Sequence, residues 1–373
     1  MTTARRSLLK GATSWCALSL SPWAMAQSAG PAAANTARQF NPQPNGWRTF
    51  EVTTRVDIQS TQGVTRVWLP VPSVNTEWQQ SGVSSFSSNG AARMRSDSLQ
   101  GVQMLYAEFA PQVDKPYVEI TSRVQTQNRA VRAAGAGGVV AEDAATLKYF
   151  TRATQLLPTD GIVRETAHKA IAGATSDEDK VRAIYDWIVA NAWREPKVKG
   201  CGEGDIKTML ETGNLGGKCA DINALFVGLC RSVGIPARDV YGLRLAPSAF
   251  GYKELSGNPA SLKGAQHCRA EAYINGRGWM AMDPADVAKV MRLETPEWIK
   301  SPDHPVVKPV YQALRGGWEG NWVAWNMAHD VSLPNSKGDR LGFFMYPVAE
   351  NQEGRFDSYA PDDFKYQISA REI

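Results

Sequence analysis

The sequence has few of the features that mark metal-binding, membrane-spanning or nucleic-acid-binding proteins. It contains only four histidines, and no histidine cluster has metal-ligand spacing, so we expect no metal or other cofactor. No segment approaches 18 consecutive apolar residues, which excludes an ordinary membrane-spanning helix. The formal net charge is +4, and three of those charges belong to Arg5, Arg6 and Lys10. The rest of the chain is nearly neutral, which gives no reason to expect a nucleic-acid partner.

Residues 1–26 have the organisation of a secretory signal. Paired arginines precede a short apolar stretch, and an Ala-Met-Ala pattern at its end is typical of a cleavage site. The arginine pair predicts export of the twin-arginine type, and therefore a periplasmic protein without stable membrane insertion. A simple membrane anchor is the alternative, but the apolar stretch is too short to span a bilayer. Residues 27–46, rich in Ala, Pro, Asn and Gln, are expected to be a flexible linker.

The composition after this linker predicts two structural parts and an extension. Residues 47–130 contain short alternating segments such as RTFEVTTRVDI and YVEITSRVQTQ, which predict an antiparallel β-sandwich that serves packing. A second linker, 132–145, would lead to a catalytic domain over 146–296, and 297–373 would form a C-terminal extension with no assigned function. Three tryptophans of this extension could be core or could edge a substrate cleft: Trp318, Trp322 and Trp325.

A helix that begins at a cysteine is predicted directly after a Gly-Gly-Lys turn. Apolar residues recur at steps of three and four from Ile222 onward, and Gly234 with Pro236 predicts the end of the helix. Cys219 therefore lies in the first turn, on the same buried face as Ile222 and Phe226. The positive end of a helix dipole favours the thiolate form of a cysteine. This position suits a nucleophile.

Three other cysteines remain after the signal. An even number of cysteines in an oxidising compartment favours disulfides, but a free nucleophile at Cys219 would leave at least one other thiol unpaired. Cys230 falls on the apolar helix face and is expected to be a buried thiol rather than half of a disulfide. A disulfide between Cys201 and Cys268 stays open.

Among the four histidines, His267 is the best candidate for a catalytic base. It opens a strand whose hairpin partner ends at Asp283. A three-residue connection, Asn275 to Arg277, would set Arg269 opposite Asp283 and make His267 the diagonal neighbour on the same face. The carboxylate could then hold the Nδ1–H of the imidazole and leave Nε2 facing the thiol. The others are expected to be solvated, in a loop or structural: His168, His304 and His329.

Together these motifs resemble the transglutaminase-like superfamily of papain-like thiol enzymes. GGKCADINALFVGLCRSVGIPAR is similar to its nucleophile helix and following strand, and HCRAEAYINGRGWMAMDPAD to its His and Asp strands. The resemblance covers residues 183–286. It implies an α+β fold, with the helix packed on an antiparallel sheet and a β-sandwich before it. It also implies Cys219 as nucleophile, His267 as general base and acid, and Asp283 as the group that orients the imidazole. Arg269 stands where many members have Trp.

The function expected from these residues is acyl transfer from an amide bond to an acceptor. The substrate would be a peptide, a protein or another amide, with backbone N–H groups at the helix start holding the oxyanion. Hydrolysis is expected over cross-linking, because water is abundant and nothing in the sequence marks an amine site. Two alternatives stay open: a protein cross-linking transglutaminase, and a non-catalytic peptide-binding scaffold of the same fold.

Overall fold

A computed structural model describes residues 38–59, 62–97, 100–131 and 141–373. The expected signal peptide, residues 27–37 of the first linker and residues 132–140 of the second lie outside the described residues. Within the described ranges, no helix combines the length and apolar character needed to cross a bilayer.

Six strands come first along the described chain, and helices and further strands follow in mixed order. The strands are β1 (Arg48–Asp57), β2 (Thr65–Val71), β3 (Gln79–Ser88), β4 (Ala91–Asp97), β5 (Val102–Phe109), β6 (Tyr117–Thr126), β7 (Trp193–Arg194), β8 (Gly216–Gly217), β9 (Ala237–Arg244), β10 (Gln266–Ile274), β11 (Gly278–Met282), β12 (Arg315–Gly316), β13 (Trp322–Asn326), β14 (His329–Val331), β15 (Leu341–Phe343), β16 (Val348–Asn351), β17 (Gly354–Arg355) and β18 (Tyr366–Glu372). The helices are α1 (Ala144–Tyr149), α2 (Gly161–Ala170), α3 (Asp177–Asn191), α4 (Ile206–Thr212), α5 (Cys219–Ser232), α6 (Pro284–Leu293), α7 (Lys308–Ala313) and α8 (Pro361–Phe364).

Two antiparallel sheets form a β-sandwich to which both ends of the described chain contribute. Their strand orders are β18-β1-β6-β3 and β17-β16-β2-β5-β4. Strand β1 pairs with β6 on one side and with the C-terminal β18 on the other. Along β1, buried residues alternate with half-buried ones, which is the pattern of a strand with one face against a core. The expected β-sandwich is present, but residues 47–130 do not complete it.

The segment expected to be a C-terminal extension, residues 297–373, contributes strands to three sheets of the described structure that also contain earlier strands. The last three strands of this segment join the two sheets of the sandwich, and β12 and β13 occupy the two edges of the central five-stranded sheet. The described residues accordingly make one compact unit. The sequence boundaries therefore do not separate three bodies in space.

The central sheet carries the predicted cysteine helix. Its strand order is β12-β11-β10-β9-β13, and every pairing is antiparallel. Helix α5 contacts β9 and β10 on one side and α2 and α3 on the other, so all its residues up to Arg231 are buried. A helix enclosed in this way can be apolar around its whole circumference. Gly234, at φ +83°, follows its C-terminus, as the sequence predicted. The expected α+β fold is confirmed.

The hairpin of β10 and β11 has the predicted register. Ile274 pairs with Gly278 and Ala270 with Met282, so the next position in this register brings Arg269 opposite Asp283. The three-residue connection turns at Gly276, whose φ of +76° suits glycine. Asp283 then ends the strand and caps α6 by accepting the N–H of Asp286 at 3.0 Å.

The tryptophans of the C-terminal segment are core residues. Trp322 and Trp325 lie on β13 rather than on a helix, and Trp318 precedes that strand. The Trp322 indole donates to the carbonyl of His267 at 2.8 Å. Trp318 packs edge-on against Trp78, which precedes β3 of the sandwich. These rings therefore fix the sandwich and the central sheet to each other.

Candidate active site

A buried carboxylate fixes the start of helix α5, where Cys219 is the first residue. Asp221 accepts the N–H of Lys218 at 2.8 Å and the N–H groups of Glu203 and Gly204 at 2.9 Å each. A fourth hydrogen bond runs from the Ala220 N–H to the carbonyl of Cys201 at 2.9 Å. The loop around residue 202 is thereby held against the helix start, and the thiol has a fixed position.

Gly202 in this loop has to be glycine. Its φ is +88°, and a Cβ atom there would lie 1.8 Å from Oδ2 of Asp221. A side chain would therefore displace the carboxylate that holds the helix start. Neither Gly202 nor Asp221 is among the residues predicted from the sequence, although an acidic residue three positions after a helix cap is a known local signal.

The nucleophile candidate is one of a group of three adjacent thiols. Cys219, only 2 % exposed, lies beside the side chains of Cys201, Cys268 and His267. The Cys201 thiol also donates to the carbonyl of Gln266 at 3.2 Å. All four cysteines of the described chain are free and buried, including Cys230. Cys201 and Cys268, for which a disulfide was left open, are thus neighbours of the nucleophile as thiols.

The surroundings of Cys219 favour its thiolate over that of either neighbour. Burial raises the pKa of the Cys219 thiol, but the neighbouring side chains of Cys201, Cys268 and His267 outweigh it and hold the pKa well below its ordinary value. Burial and the adjacent Cys219 raise the pKa of both Cys201 and Cys268 well above that value. Cys219 is therefore the thiol of this group that ionises first as the pH rises.

His267 is buried between the thiol and two carboxylates. Its Nε2 lies 2.7 Å from Oδ2 of Asp283 and 3.3 Å from Oδ2 of Asp286. Burial lowers the pKa of the imidazole, but the charges of Asp286 and Asp283 outweigh this effect and raise the pKa to about 10. The expected orientation of the ring was wrong: Nε2 faces the carboxylates, which leaves Nδ1 for the thiol. The physical reason is the position of Asp283 at the N-terminus of α6, where its carboxylate lies beside Nε2 of the ring.

Two arginines that the sequence analysis did not assign to the site balance its charge. Nη2 of Arg244, at the end of β9, lies 2.5 Å from both carboxylate oxygens of Asp286. Nε of Arg269 lies 3.6 Å from Oδ2 of Asp283. Burial lowers the pKa of Arg269 to about 10, so it is still charged near neutral pH. Two guanidinium groups and an imidazolium thus face two carboxylates and a thiolate, and the buried charges sum to zero.

Arg269 occupies the position where a tryptophan is common in the resembling family. Its guanidinium lies over the rings of Trp318 and Trp322, with centroid distances of 5.1 Å and 4.6 Å. It also donates to the carbonyl of Glu319 at 3.0 Å. Flat aromatic faces stabilise a buried guanidinium, so the tryptophans hold Arg269 beside Asp283.

The donor atoms of His267, Asp283 and Asp286 lie within 4.8 Å of one another, which is compatible with a metal ion. Both carboxylates are already engaged by cationic side chains: Asp286 by Arg244, and Asp283 by the imidazole. A divalent cation would add two positive charges to a group whose charges already cancel. The residues therefore fit an orienting network better than a metal centre.

A cavity of about 530 Å³ opens over Cys219 and His267. Tyr346 and Tyr359 of the C-terminal segment line it, although the sequence analysis assigned this segment no function. The hydroxyl of Tyr359 donates to the carbonyl of Gly202 at 2.9 Å, which joins this wall to the loop beside the thiol. No local sequence signal points to these tyrosines, since they reach the site only through the folding of the C-terminal strands.

The other three histidines do not line this cavity. His168 is exposed on α2, and the ring nitrogen Nδ1 of His304 accepts the N–H of Val306 at 3.2 Å within a loop. His329 is buried 3.2 Å from Asp239, and burial lowers its pKa. The structure therefore brings together the three side chains that the sequence selected, Cys219, His267 and Asp283.

Comparison with known proteins gives two sequence matches and several structural ones. Residues 164–284, which include all three selected side chains, match the model of the transglutaminase-like superfamily. An uncharacterized protein of Haemophilus influenzae is 34% identical over 343 residues, which cover 87% of this chain and 91% of the relative.

Among solved structures, similarity extends to a candidate cysteine protease of Cytophaga hutchinsonii. It has 18% identity and a TM-score of 0.49, and the match covers 88% of this chain and 99% of that one. The periplasmic domain of TgpA from Pseudomonas aeruginosa has 15% identity and a TM-score of 0.35, over 74% and 99% of the two chains. Because both scores are below 0.5, the family assignment depends on the sequence matches.

Proposed function

Because this chain belongs to the transglutaminase-like superfamily, we propose that it cleaves amide bonds by acyl transfer to Cys219. The observation that carries the proposal is the buried pair of Cys219 and His267. The pKa of the thiol is held well below its ordinary value, and the pKa of the imidazole is raised to about 10. Near neutral pH this pair is a thiolate beside an imidazolium, which supplies a nucleophile and a proton donor together.

In the first half of the reaction, the Cys219 thiolate attacks the carbonyl carbon of the amide. The N–H of Cys219 is the candidate oxyanion donor, because the N–H of Ala220 is already bonded to the Cys201 carbonyl. The imidazolium of His267 then gives its Nδ1 proton to the departing nitrogen as the C–N bond breaks. The products are a thioester on Cys219, a free amine and a neutral imidazole.

In the second half, the neutral imidazole takes a proton from a water molecule. The resulting hydroxide attacks the thioester carbonyl, the C–S bond breaks, and the carboxylic acid product leaves. The thiolate and imidazolium are restored. Asp283 holds the ring through Nε2 and stabilises its charged form throughout the cycle.

We favour water over a primary amine as the acceptor. Two cationic side chains that form no ion pair within the described ranges line the cavity: Arg194 and Lys218. An amine acceptor arrives mainly as an ammonium ion, which such a lining repels, whereas water is not affected. Transfer to a primary amine is the second candidate function. The signal-like residues 1–26 support hydrolysis in the periplasm rather than in the cytoplasm.

The test is the pH dependence of Cys219 alkylation by iodoacetamide, read by mass spectrometry of the cysteine peptides. The wild type should react rapidly at about pH 6, where a free thiol with a pKa of about 8.5 reacts slowly. His267→Ala should slow the reaction near neutral pH. Slow labelling of Cys219, equal to that of Cys230 and Cys268, would favour the scaffold alternative.

Turnover is measured separately, as release of new amino groups from a mixture of blocked peptides. Cys219→Ala should abolish the release, and Cys230→Ala is the matched control at another buried thiol of the same helix. A dansylated primary amine added to the reaction distinguishes the acceptors. Its incorporation into the peptides at the expense of hydrolysis would indicate a cross-linking enzyme.

A further inference from the structure

The cavity over the nucleophile is lined by positive charge. Five of its side chains are Lys or Arg, and none of the described residues that line it is Asp or Glu. Three of these cations have carboxylate partners: Arg244 with Asp286, Lys263 with Asp362, and Lys289 with Glu254. Arg194 and Lys218 form no ion pair within the described ranges.

Arg194 is placed beside the nucleophile by backbone pairing. Strand β7 runs parallel to β8, with Arg194 opposite Gly217, and the N–H of Glu195 donates to the Gly217 carbonyl at 2.9 Å. Lys218 follows Gly217 and directly precedes Cys219. The two unpaired cations therefore flank the chain that leads into the nucleophile helix.

The side chains of Arg194 and Lys218 are both half-buried. A half-buried cation without a carboxylate partner is less stable than one in water or in an ion pair. Nε of Arg194 is buried without a hydrogen-bond partner in the described structure. Burial lowers the pKa of Lys218, and repulsion from Arg194 lowers it further. Two like charges near each other in a partly dry pocket are stabilised when an anion enters between them. Arginine in particular suits a carboxylate, which it can bind through two parallel hydrogen bonds.

These two cations are not needed to balance the catalytic charges. The thiolate and the carboxylates of Asp283 and Asp286 are matched by the imidazolium, Arg244 and Arg269. The carboxylate of Asp221 also lies near Lys218, but its hydrogen bonds are to the backbone N–H groups of Lys218, Glu203 and Gly204, and it does not line the cavity. Arg194 and Lys218 therefore add positive charge to the cavity lining that no ion pair offsets within the described ranges.

We propose that Arg194 and Lys218 bind a carboxylate of the substrate, so that the enzyme acts on acidic peptides with a negative charge near the amide that Cys219 attacks. This inference rests on the proposed function and specifies its substrate class. The carboxylate can come from an acidic side chain or from a free peptide C-terminus, since both present the same chemistry to the two cations.

Two alkylating reagents test the inference without a known substrate. Iodoacetate and iodoacetamide have the same leaving group and similar size, but only iodoacetate carries a carboxylate. The measured quantity is the ratio of their alkylation rates at Cys219, at one pH and low ionic strength. We expect Arg194→Gln and Lys218→Gln each to lower this ratio about five- to tenfold, because a cation that faces the anionic reagent is lost.

Two further variants serve as controls. Lys263→Gln removes a cation that lines the same cavity but is paired with Asp362, and it should leave the ratio nearly unchanged. Arg194→Lys keeps the charge and should retain a ratio between those of the wild type and Arg194→Gln. Added salt should lower the wild-type ratio as well, because screening weakens attraction between charges. That measurement needs no variant to fold.

The outcomes separate this inference from the proposed function. If Arg194→Gln and Lys218→Gln leave the ratio unchanged while iodoacetamide still labels Cys219 rapidly, the carboxylate site is wrong and the nucleophile stands. If both reagents slow equally, the cations act on the thiolate, and the inference is again wrong. If neither reagent labels wild-type Cys219 faster than Cys230, the proposed function itself fails.

Protection experiments then distinguish the two sources of the carboxylate. Blocked tripeptides compete with iodoacetamide for Cys219 in two matched pairs: acetyl-Ala-Glu-Ala-amide against acetyl-Ala-Gln-Ala-amide, and acetyl-Ala-Ala-Ala with a free C-terminus against its amide. Stronger protection by the Glu peptide than by the Gln peptide indicates that an acidic side chain supplies the carboxylate. Stronger protection by the peptide with a free C-terminus than by its amide indicates that the C-terminus supplies it. Equal protection within both pairs would overturn the inference.

Discussion

The Nε2 atom of His267 lies 2.7 Å from Oδ2 of Asp283, and this contact joins the first residues of β10 to the N-terminus of α6. The other oxygen of the same carboxylate accepts the N–H of Asp286 at 3.0 Å and lies 3.3 Å from Nδ2 of Asn223 on α5. One side chain therefore orients the imidazole, caps a helix and contacts the nucleophile helix. Because these tasks use different properties of Asp283, a substitution can separate them.

Asp283→Asn should reduce turnover far more than stability. The amide keeps the shape and an oxygen that can cap α6, but it loses the charge that stabilises the imidazolium of His267. We expect turnover to fall about a hundredfold or more. Amine release and the thermal unfolding midpoint measure the two effects. A variant that unfolds in parallel with its loss of turnover would mean that Asp283 is chiefly structural.

Local sequence patterns predicted the elements whose contacts are close along the chain. Helix α5 was predicted because its apolar period and its Gly-Pro stop depend only on neighbouring residues. The register that places His267 near Asp283 followed from the length of one hairpin loop, which fixes which side chains share a face. Both features belong to the hairpin and helix that hold the site.

Long-range pairing and side-chain detail were not predictable in this way. Strand β18 adds to β1 although more than 300 residues separate Phe50 from Glu372, and nothing in either strand names its partner. The pairing of Arg244 with Asp286 and the orientation of the His267 ring depend on how α6 packs on the sheet. Local patterns therefore led to Cys219, His267 and Asp283, to which we assign the reacting and orienting roles, but not to the charges around them.

Export should depend on the arginine pair at the N-terminus. Replacing both Arg5 and Arg6 with Lys keeps the positive charge but removes the guanidinium groups that define this class of signal. We expect precursor to accumulate in the cytoplasm, which cell fractionation and immunoblotting would detect. Arg38→Lys, beyond the signal, is the matched control and should be exported normally. Normal secretion of the double variant would disprove the twin-arginine assignment.

Cys230→Ala should lower stability without affecting turnover. The thiol is fully buried on α5, and burial raises its pKa, so it does not compete with Cys219 as a nucleophile. Removing the sulfur leaves a small cavity, and we expect a loss of about 1–2 kcal/mol in the free energy of unfolding. Denaturant unfolding and amine release would measure both properties. Detection of Cys230 in a disulfide by non-reducing mass analysis would contradict its assignment as a buried thiol.

Asp286→Asn should move the alkaline limit of activity to lower pH. The pKa of His267 is about 10 because the charges of Asp286 and Asp283 outweigh the effect of burial, so removing one carboxylate must lower it. The imidazole of His267 has to be protonated to release the amine, and it loses this proton as the pH rises through its pKa. The alkaline limb of the kcat/KM profile should therefore shift to lower pH in the variant.

Asp286→Asn also leaves Arg244 without its carboxylate partner, so the folding of this variant has to be measured together with its kinetics. Asp362→Asn is the matched control: it removes a surface carboxylate paired with Lys263, outside the buried network, and should leave the alkaline limb in place.

The linkage of protonation to folding gives a second readout. Because the folded pKa of His267 lies above its unfolded value, its protonation stabilises the wild type fully below about pH 6.5. That stabilisation is lost as pH rises toward 10, and this part of the pH dependence should shrink in Asp286→Asn. An alkaline limb at the same pH in the wild type and in Asp286→Asn would show that Asp286 does not set the pKa of His267.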